Sequence, residues 1–416
     1  MTEQPGLARR LNTTDAVVIG LGSMIGAGVF SAFGPAARAA GAGLLIGLAL
    51  AAVIAYCNAT ASAQLAAVYP VSGGTYIYGR ERLGEWWGFI AGWGFVVGKT
   101  ASCAAMALTV AAYAVPGAAV WAQRAIAIAA VLLLAALNYR GVTKTALLAR
   151  ILLVCTLIAL AAVVVGIAIG RPEPVHQWVT GGAYGVLQSA GLLFFAFAGY
   201  ARIATMGEEV RDPARAIPRA ITLALAIAVA IYLVVAVAAL AAAGPDRLAR
   251  ATAPLAEAVR AAGMPALVPV ITVGAALASM GALLALIAGL GRTTLAMARH
   301  RDLPGWLAAV HPRHQVPHRA EIALGAVVCV LVATVDLRGV IGFSSFGVLI
   351  YYAIANAAAY TLPAERGALR RRVLNACGLS GCLLLVATLP WQSAVAGLGV
   401  FAVGIAGRAI VLHRRA

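Results

Sequence analysis

Twelve apolar runs follow one another along this chain with only short polar turns between them. They cover about residues 15–38, 42–69, 86–115, 121–138, 147–169, 183–206, 217–243, 265–298, 320–335, 339–362, 373–390 and 392–411. At ~1.5 Å of rise per residue, helices of this size match a ~30 Å hydrocarbon core. Lipid offers backbone N–H and C=O groups no partners, so such runs have to satisfy themselves as helices. Composition agrees, with 62% hydrophobic and 11% charged residues and a mean hydropathy of +0.93. The longest polar stretch is the loop at 298–319, which leaves no soluble domain. The expectation is an all-α polytopic membrane protein with 12 transmembrane helices, forming a single domain over 1–416.

Charge orients the bundle. The chain carries 31 Lys and Arg against 14 Asp and Glu, a net +17. With the amino terminus inside, 22 of the 31 cations fall on inner segments, 7 on outer ones and 2 within spans. That bias follows the positive-inside rule and predicts both termini in the cytoplasm, fitting a bacterial inner membrane. The basic balance is thus a topology signal and gives no reason to expect nucleic acid as a partner.

Two interruptions break the helical pattern. Gly20, Gly22, Gly26 and Gly28 sit in the middle of the first span, and each glycine weakens a helix by ~1 kcal/mol relative to Ala. Irregular backbone is tolerated at membrane depth where it lines a cavity, and transporters use such breaks to aim bare backbone groups at a substrate. The sixth span is interrupted around Phe197-Ala198-Gly199-Tyr200. Breaks in spans one and six imply two five-helix repeats of opposite topology, about 15–169 and 183–362, with peripheral helices at about 373–411. The alternative is that these glycines only let helices pack closely.

The residues resemble a known family. Gly22-Ser-Met-Ile-Gly-Ala-Gly-Val-Phe30 is similar to the first-helix signature of the amino acid–polyamine–organocation (APC) superfamily of permeases. Pro70-Val-Ser-Gly-Gly-Thr-Tyr-Ile-Tyr78, with Leu83-Gly84 and Gly88-Phe89-Ile-Ala-Gly-Trp93, resembles its signature between helices two and three. Phe194-Phe-Ala-Phe-Ala-Gly199, Glu208-Glu-Val-Arg-Asp-Pro213 and Ile217-Pro218 resemble its sixth helix and following loop. Arg292, Ala296-Met-Ala-Arg299, Leu303-Pro304 and Pro317 resemble its helix-eight exit. The resemblance implies a 5+5 inverted repeat with broken helices 1 and 6 plus two peripheral helices. It also implies amino-acid or amine transport by alternating access.

A break in helix one exposes N–H groups at a positive dipole end, which suits a carboxylate. The substrate α-carboxylate is therefore expected near Ser23, Met24, Ile25, Gly26 and Gly28. Carbonyls near Phe197, Ala198 and Gly199 suit an α-ammonium group, with Phe197 and Tyr200 as candidate walls or lids. Either ring reads equally as packing. Gly73-Gly74 is expected to shape a tight inner turn. Glu208 and Glu209 read as an inner gate network or as a solvated, helix-capping pair.

Two cations depart from lipid logic. Lys99 lies at the centre of span three and Arg202 just past the break in span six, where an ion at bilayer depth needs a partner or a function. All 14 acids sit at span ends or in loops. Lys99 is left to donate to carbonyls freed by a break, whereas Arg202 has the alternative of snorkelling to the interface. In some proton-coupled relatives a lysine on helix five replaces a sodium ion, and counting from Gly141 places Thr156 there. Lys99 is then the candidate proton carrier and Arg202 the fixed charge, because lysine loses its proton when desolvated and arginine does not. A coupling proton is expected ahead of Na+, and no cofactor is expected. Two such cations disfavour arginine, lysine and polyamines, and favour a zwitterionic amino acid or a carboxylate-bearing substrate.

Other classes lack their signatures. No His-Glu-x-x-His, Cys-x-x-Cys pair or Gly-x-Ser-x-Gly occurs, nor a phosphate-binding Gly-rich loop ending in Lys-Ser or Lys-Thr. An enzyme or an ATP-driven pump is therefore not expected. An ion channel, the remaining alternative, would display polar stripes or a repeated filter. The six cysteines fall in spans without ligand spacing and read as core residues. His311, His314 and His318 have helical spacing, but Pro312 and Pro317 interrupt it, giving a solvated basic loop. One chain makes a complete pathway, and the sequence leaves oligomeric state open.

Overall fold

The computed structural model describes residues 11–70, 73–139, 145–170, 181–204, 206, 210–314, 316–363 and 368–413. Glu208 and Glu209 lie outside the described residues. The described chain is a helical bundle whose elements are α1 (Thr13–Met24), α2 (Ala27–Ser31), α3 (Phe33–Ala40), α4 (Leu44–Val68), α5 (Thr75–Leu83) and α6 (Glu85–Ala114). Next come α7 (Val120–Tyr139), α8 (Thr145–Gly170), α9 (Gly182–Phe197), α10 (Ala201–Ala204), α11 (Pro213–Arg250) and α12 (Pro254–Ala261). The remainder are α13 (Val268–Arg299), α14 (His318–Thr334), α15 (Leu337–Tyr360), α16 (Ala368–Thr388) and α17 (Trp391–His413).

Ten helical stretches among the described residues are long and apolar enough to cross a membrane, against the twelve runs in the sequence. The missing two are α14, which has only 17 residues, and α16, whose first turns carry Arg370, Arg371 and Arg372. The spans that the sequence separates at 38–42 are divided by a tight turn at Gly41–Gly43, with Gly41 at φ 59°. Within α11, Gly244 at φ 68° precedes Pro245 and bends the helix. The apolar residues are buried around α6, which packs on α13 and α15. Gly98 and Gly347 permit the α6–α15 approach, since a methyl at Gly347 would lie 2.8 Å from Gly98 Cα.

One face of the bundle holds the start of α1 and the end of α17, and is called the terminal face here; the opposite one is the distal face. At the terminal face, Asn12 and Asp15 form a reciprocal cap on α1 (2.8 and 3.1 Å), and Asp15 pairs with Arg150 of α8. Arg211 N donates to Leu11 O at 2.8 Å, tying the chain after α10 to the entrance of α1. Gly73 and Gly74, at φ 135° and 57°, make the tight turn into α5 that the sequence suggests.

The same face carries a buried ionic knot. Asp302, just beyond α13, accepts from Arg408 Nε at 2.8 Å, Tyr76 Oη at 2.8 Å and Arg80 at 3.3 Å. Both Arg408 and Asp302 side chains are 4% exposed, so neither charge is affordable without the other. The Arg408 guanidinium also lies over the Trp86 ring at 4.4 Å. Burial, reinforced by the Asp302 carboxylate, raises the Tyr76 phenol above its ordinary value, so it stays a donor. The knot fastens α17 to α5 and α6, and the expected peripheral helix is thereby an anchored part of the terminal face.

One smaller expectation changes: Cys377 is exposed, while Cys57, Cys103 and Cys382 are buried. His311 and His314 lie in a partly exposed turn and His318 opens α14, and their rings gather around Tyr139, with centroids 5.4 to 6.2 Å from its ring. Among the described residues no group of three His, Cys, Asp or Glu is arranged to hold a metal ion.

Candidate functional site

The first span breaks at Ile25–Gly26. α1 ends at Met24, Ile25 adopts φ −80°, ψ 65°, and Gly26 takes φ −117°, ψ −140°, outside the helical region. Gly26 N folds back onto Met24 O at 2.8 Å. The helix restarts at Ala27 and runs on through Ala32, itself helical, into α3. The first N–H groups of a restarted helix have no carbonyl one turn behind them.

The four glycines thus divide their work. Gly26 is the break, and Gly28 lets α2 cross α9, since a methyl there would lie 2.5 Å from Ala196 Cα. Gly20 lies inside the intact α1 and serves packing, because a side chain there would strike Ile203. Gly22 faces open space. The packing alternative therefore holds for Gly20, while Gly26 carries the interruption.

The sixth span is tightened instead of opened. α9 ends at Phe197, Ala198–Tyr200 form a 3₁₀ turn, and α10 resumes the helix. Gly199 sits against the first break, so a methyl there would collide with Ser23 O and Met24 N. Tyr232 of α11 clamps the junction. Its Oη lies 2.6 Å from Met24 O and 2.9 Å from Ala196 O, a single proton shared between one carbonyl of each interrupted helix. Lys99, 5% exposed, donates from Nζ to Ala198 O at 2.9 Å. The Tyr352 hydroxyl reaches the same carbonyl at 3.4 Å.

A cavity of about 740 Å³ lies where these elements meet. Ser23, Met24, Gly26, Gly28, Ala198, Gly199, Arg202 and Lys99 all line it. Ile25, Phe197 and Tyr200 do not: Phe197 packs on Tyr232 (5.1 Å) and Tyr200 stacks on Tyr352 (4.9 Å). Thr156 is buried outside the lining, its hydroxyl donating to Leu152 O one turn back at 2.8 Å. The remaining wall includes Phe95, Ser102, Met106, Phe195, Arg292, Thr293 and Arg299, none of which the sequence reading assigns to the site, although it quotes Phe195, Arg292 and Arg299 within family motifs. Spacing held part of that signal, since Arg292 and Arg299 are two turns apart on α13.

Gly73, Arg299 and Val310 line the cavity's terminal end. On the distal side, beyond Gly28 and Met106 of the lining, Tyr113 ties α2 to the start of α12 without itself lining the cavity. Its Oη donates to Phe30 O at 2.7 Å and accepts from Leu255 N at 3.2 Å, while the Phe30 and Tyr113 rings meet edge-on. The cavity's described lining includes Lys99, Arg202, Arg292 and Arg299 and no carboxylate.

Comparison with known proteins places this geometry in a family. The family model "Amino acid permease" matches residues 11–406. An uncharacterized transporter of Mycobacterium tuberculosis is 60% identical over 99% of this chain and 93% of its own length. The branched-chain amino acid permease BcaP of Bacillus subtilis is 27% identical over 97% of this chain and 92% of its own. Cationic amino acid transporter 7, chloroplastic, of Arabidopsis thaliana is 28% identical over 94% of this chain and 72% of its own. A family match over nearly the whole chain, a 60% identical transporter and a bundle of membrane-length helices agree on a multi-pass membrane transporter and not an enzyme. The chain belongs to the amino acid permeases of the APC superfamily.

Proposed function

We propose that this protein is a secondary carrier that moves a zwitterionic amino acid across the cytoplasmic membrane by alternating access. The observation that carries this reading is the meeting of two interrupted helices at one cavity, lined by Ser23, Met24, Gly26 and Gly28 from the first and by Ala198 and Gly199 from the sixth. The substrate carboxylate is assigned to the restarted helix at Gly26–Gly28, where N–H groups lack helical partners. Its ammonium group is assigned to the carbonyl side, at Ala198 and Gly199. Lys99 already answers Ala198 O, so a substrate amine takes that carbonyl by displacing the lysine. The cationic residues of the described lining disfavour arginine and polyamines, which would bring further positive charge to a described lining that holds no carboxylate.

In this reading α14 and α16 complete a twelve-span topology with 5+5 inverted repeats, the last two spans lying outside them. The terminal face is cytoplasmic, and the described state is inward-open. Displacement of Lys99 gives it a route to release a proton, which makes H+ the coupling ion ahead of Na+.

The test is uptake of labelled amino acids into proteoliposomes with and without an imposed pH gradient, beside thermal stabilisation of the purified protein. A ligand bound only by the folded state raises stability by RT ln(1+[L]/Kd). Neutral amino acids are expected to stabilise and to accumulate with the gradient. Stabilisation by arginine or putrescine alone would overturn the substrate reading, and uptake indifferent to pH would overturn the coupling.

A further inference from the structure

Four arginines surround a second cavity, of about 310 Å³, at the distal face. Arg38 closes α3, Arg124 lies in the first turns of α7, Arg250 ends α11 and Arg338 opens α15. Asp336 is the lone carboxylate of the described lining, and it also caps α15 by accepting from Gly339 N at 3.1 Å. Within the described residues none of the four arginines makes an ion pair, and the Arg338 Nε is buried without a hydrogen-bond partner. Arg338 sits in the first turn of the 24-residue α15, where the helix dipole adds positive potential, while Arg38 and Arg250 lie in the last turns of α3 and α11, where it is of opposite sign.

Like charges gathered in a concave site repel one another, and a bound anion relieves that cost. Arginine presents a planar fork that fits a carboxylate with two parallel hydrogen bonds. The cavity also shares a helix with the central one: α6 lines the central cavity with Lys99, Ser102 and Met106 and the distal one with Leu108 and Ala112, and carries the Tyr113 tie one residue further on.

We propose that this distal cavity is an anion site that holds the substrate's carboxylate before it passes to the central cavity. The staging role rests on the carrier reading above; the binding does not. The experiment places a cysteine at Gln123, a lining residue, in a chain whose own cysteines are replaced by alanine or serine. Its alkylation is followed in phosphatidylcholine nanodiscs with a negatively and a positively charged thiosulfonate of similar size, with succinate as the probe ligand. The anionic reagent is expected to react at least about tenfold faster, and succinate to slow it in the millimolar range. In Arg124→Gln/Arg338→Gln the preference is expected to collapse toward unity and the protection to vanish. If the cysteine-replaced chain does not fold, thermal stabilisation by succinate is compared between the natural chain and the double variant.

A reagent preference indifferent to the arginines, or no protection by succinate, overturns the proposal. Protection in phosphatidylglycerol discs without succinate assigns the arginines to a lipid phosphate and overturns the carboxylate assignment. None of these readouts requires transport, so failure of the carrier reading shows itself separately, as no amino-acid uptake.

Discussion

The two interrupted helices face each other across the central cavity but are finished differently. The first is broken outright at Ile25–Gly26, and its restart leaves the opening N–H groups without helical carbonyls. The sixth never leaves the helical path for long: it tightens into a 3₁₀ turn whose Ala198 carbonyl is met by Lys99 and Tyr352, while Tyr232 reaches Ala196 O just before the turn. One interruption offers donors to a ligand, and the other has its acceptors supplied from within the protein. In the carrier reading proposed above, a substrate amine competes with Lys99 for Ala198 O.

The largest way to break this contrast is to separate the two interruptions. Gly199→Ala puts a methyl into Ser23 O and Met24 N, where the listener on the other side is backbone and has little room to yield. Overpacking of this kind costs roughly 1–3 kcal/mol, and a clear fall in melting temperature with loss of uptake is expected. A variant as stable and active as the parent would show that the helices do not abut there. Next in size is Lys99→Met, which clears Ala198 O of its internal donor. Amino-acid binding is expected to tighten about tenfold, ~1.4 kcal/mol, with loss of the pH response of uptake. If binding is instead abolished, Lys99 is itself a substrate ligand.

Tyr232→Phe sharpens the contrast without adding bulk. It removes the one proton shared between Met24 O and Ala196 O, and a destabilisation of ~1–2 kcal/mol is expected in chemical or thermal unfolding. An unchanged stability would mean water replaces the hydroxyl at no cost. Smallest of all is Thr156→Val. Its hydroxyl is committed to Leu152 O and lies outside the cavity lining, so uptake and its ion dependence are expected to stay near those of the parent. A marked change in coupling would return Thr156 to the ion pathway.

What the sequence made legible was local. Membrane-length runs fix most helices, Gly73-Gly74 announces a turn, and glycine within an apolar span announces a break. Composition alone did not separate Gly20 from Gly26, because packing against Ile203 and a break in the backbone demand the same missing side chain. It also could not distinguish a broken sixth helix from a tightened one. That difference depends on donors brought from α6, α11 and α15, each distant in sequence. Phe197 and Tyr200 were assigned to the site by proximity to the turn, yet their rings point into packing with Tyr232 and Tyr352. The count of membrane-length helices falls below the count of apolar runs where charges open a helix, as Arg370–Arg372 do in α16.

The Arg408–Asp302 pair has a consequence for how the protein is made. A ribosome delivers this chain from its amino end, so Asp302, Arg80 and Tyr76 are all in place more than a hundred residues before Arg408 is synthesised. Until then Asp302 is met by Arg80 and Tyr76 alone, and the Trp86 ring lacks the guanidinium that lies over it. Arrival of α17 completes both contacts at once, so this knot reaches its full pairing only after α17 has been made.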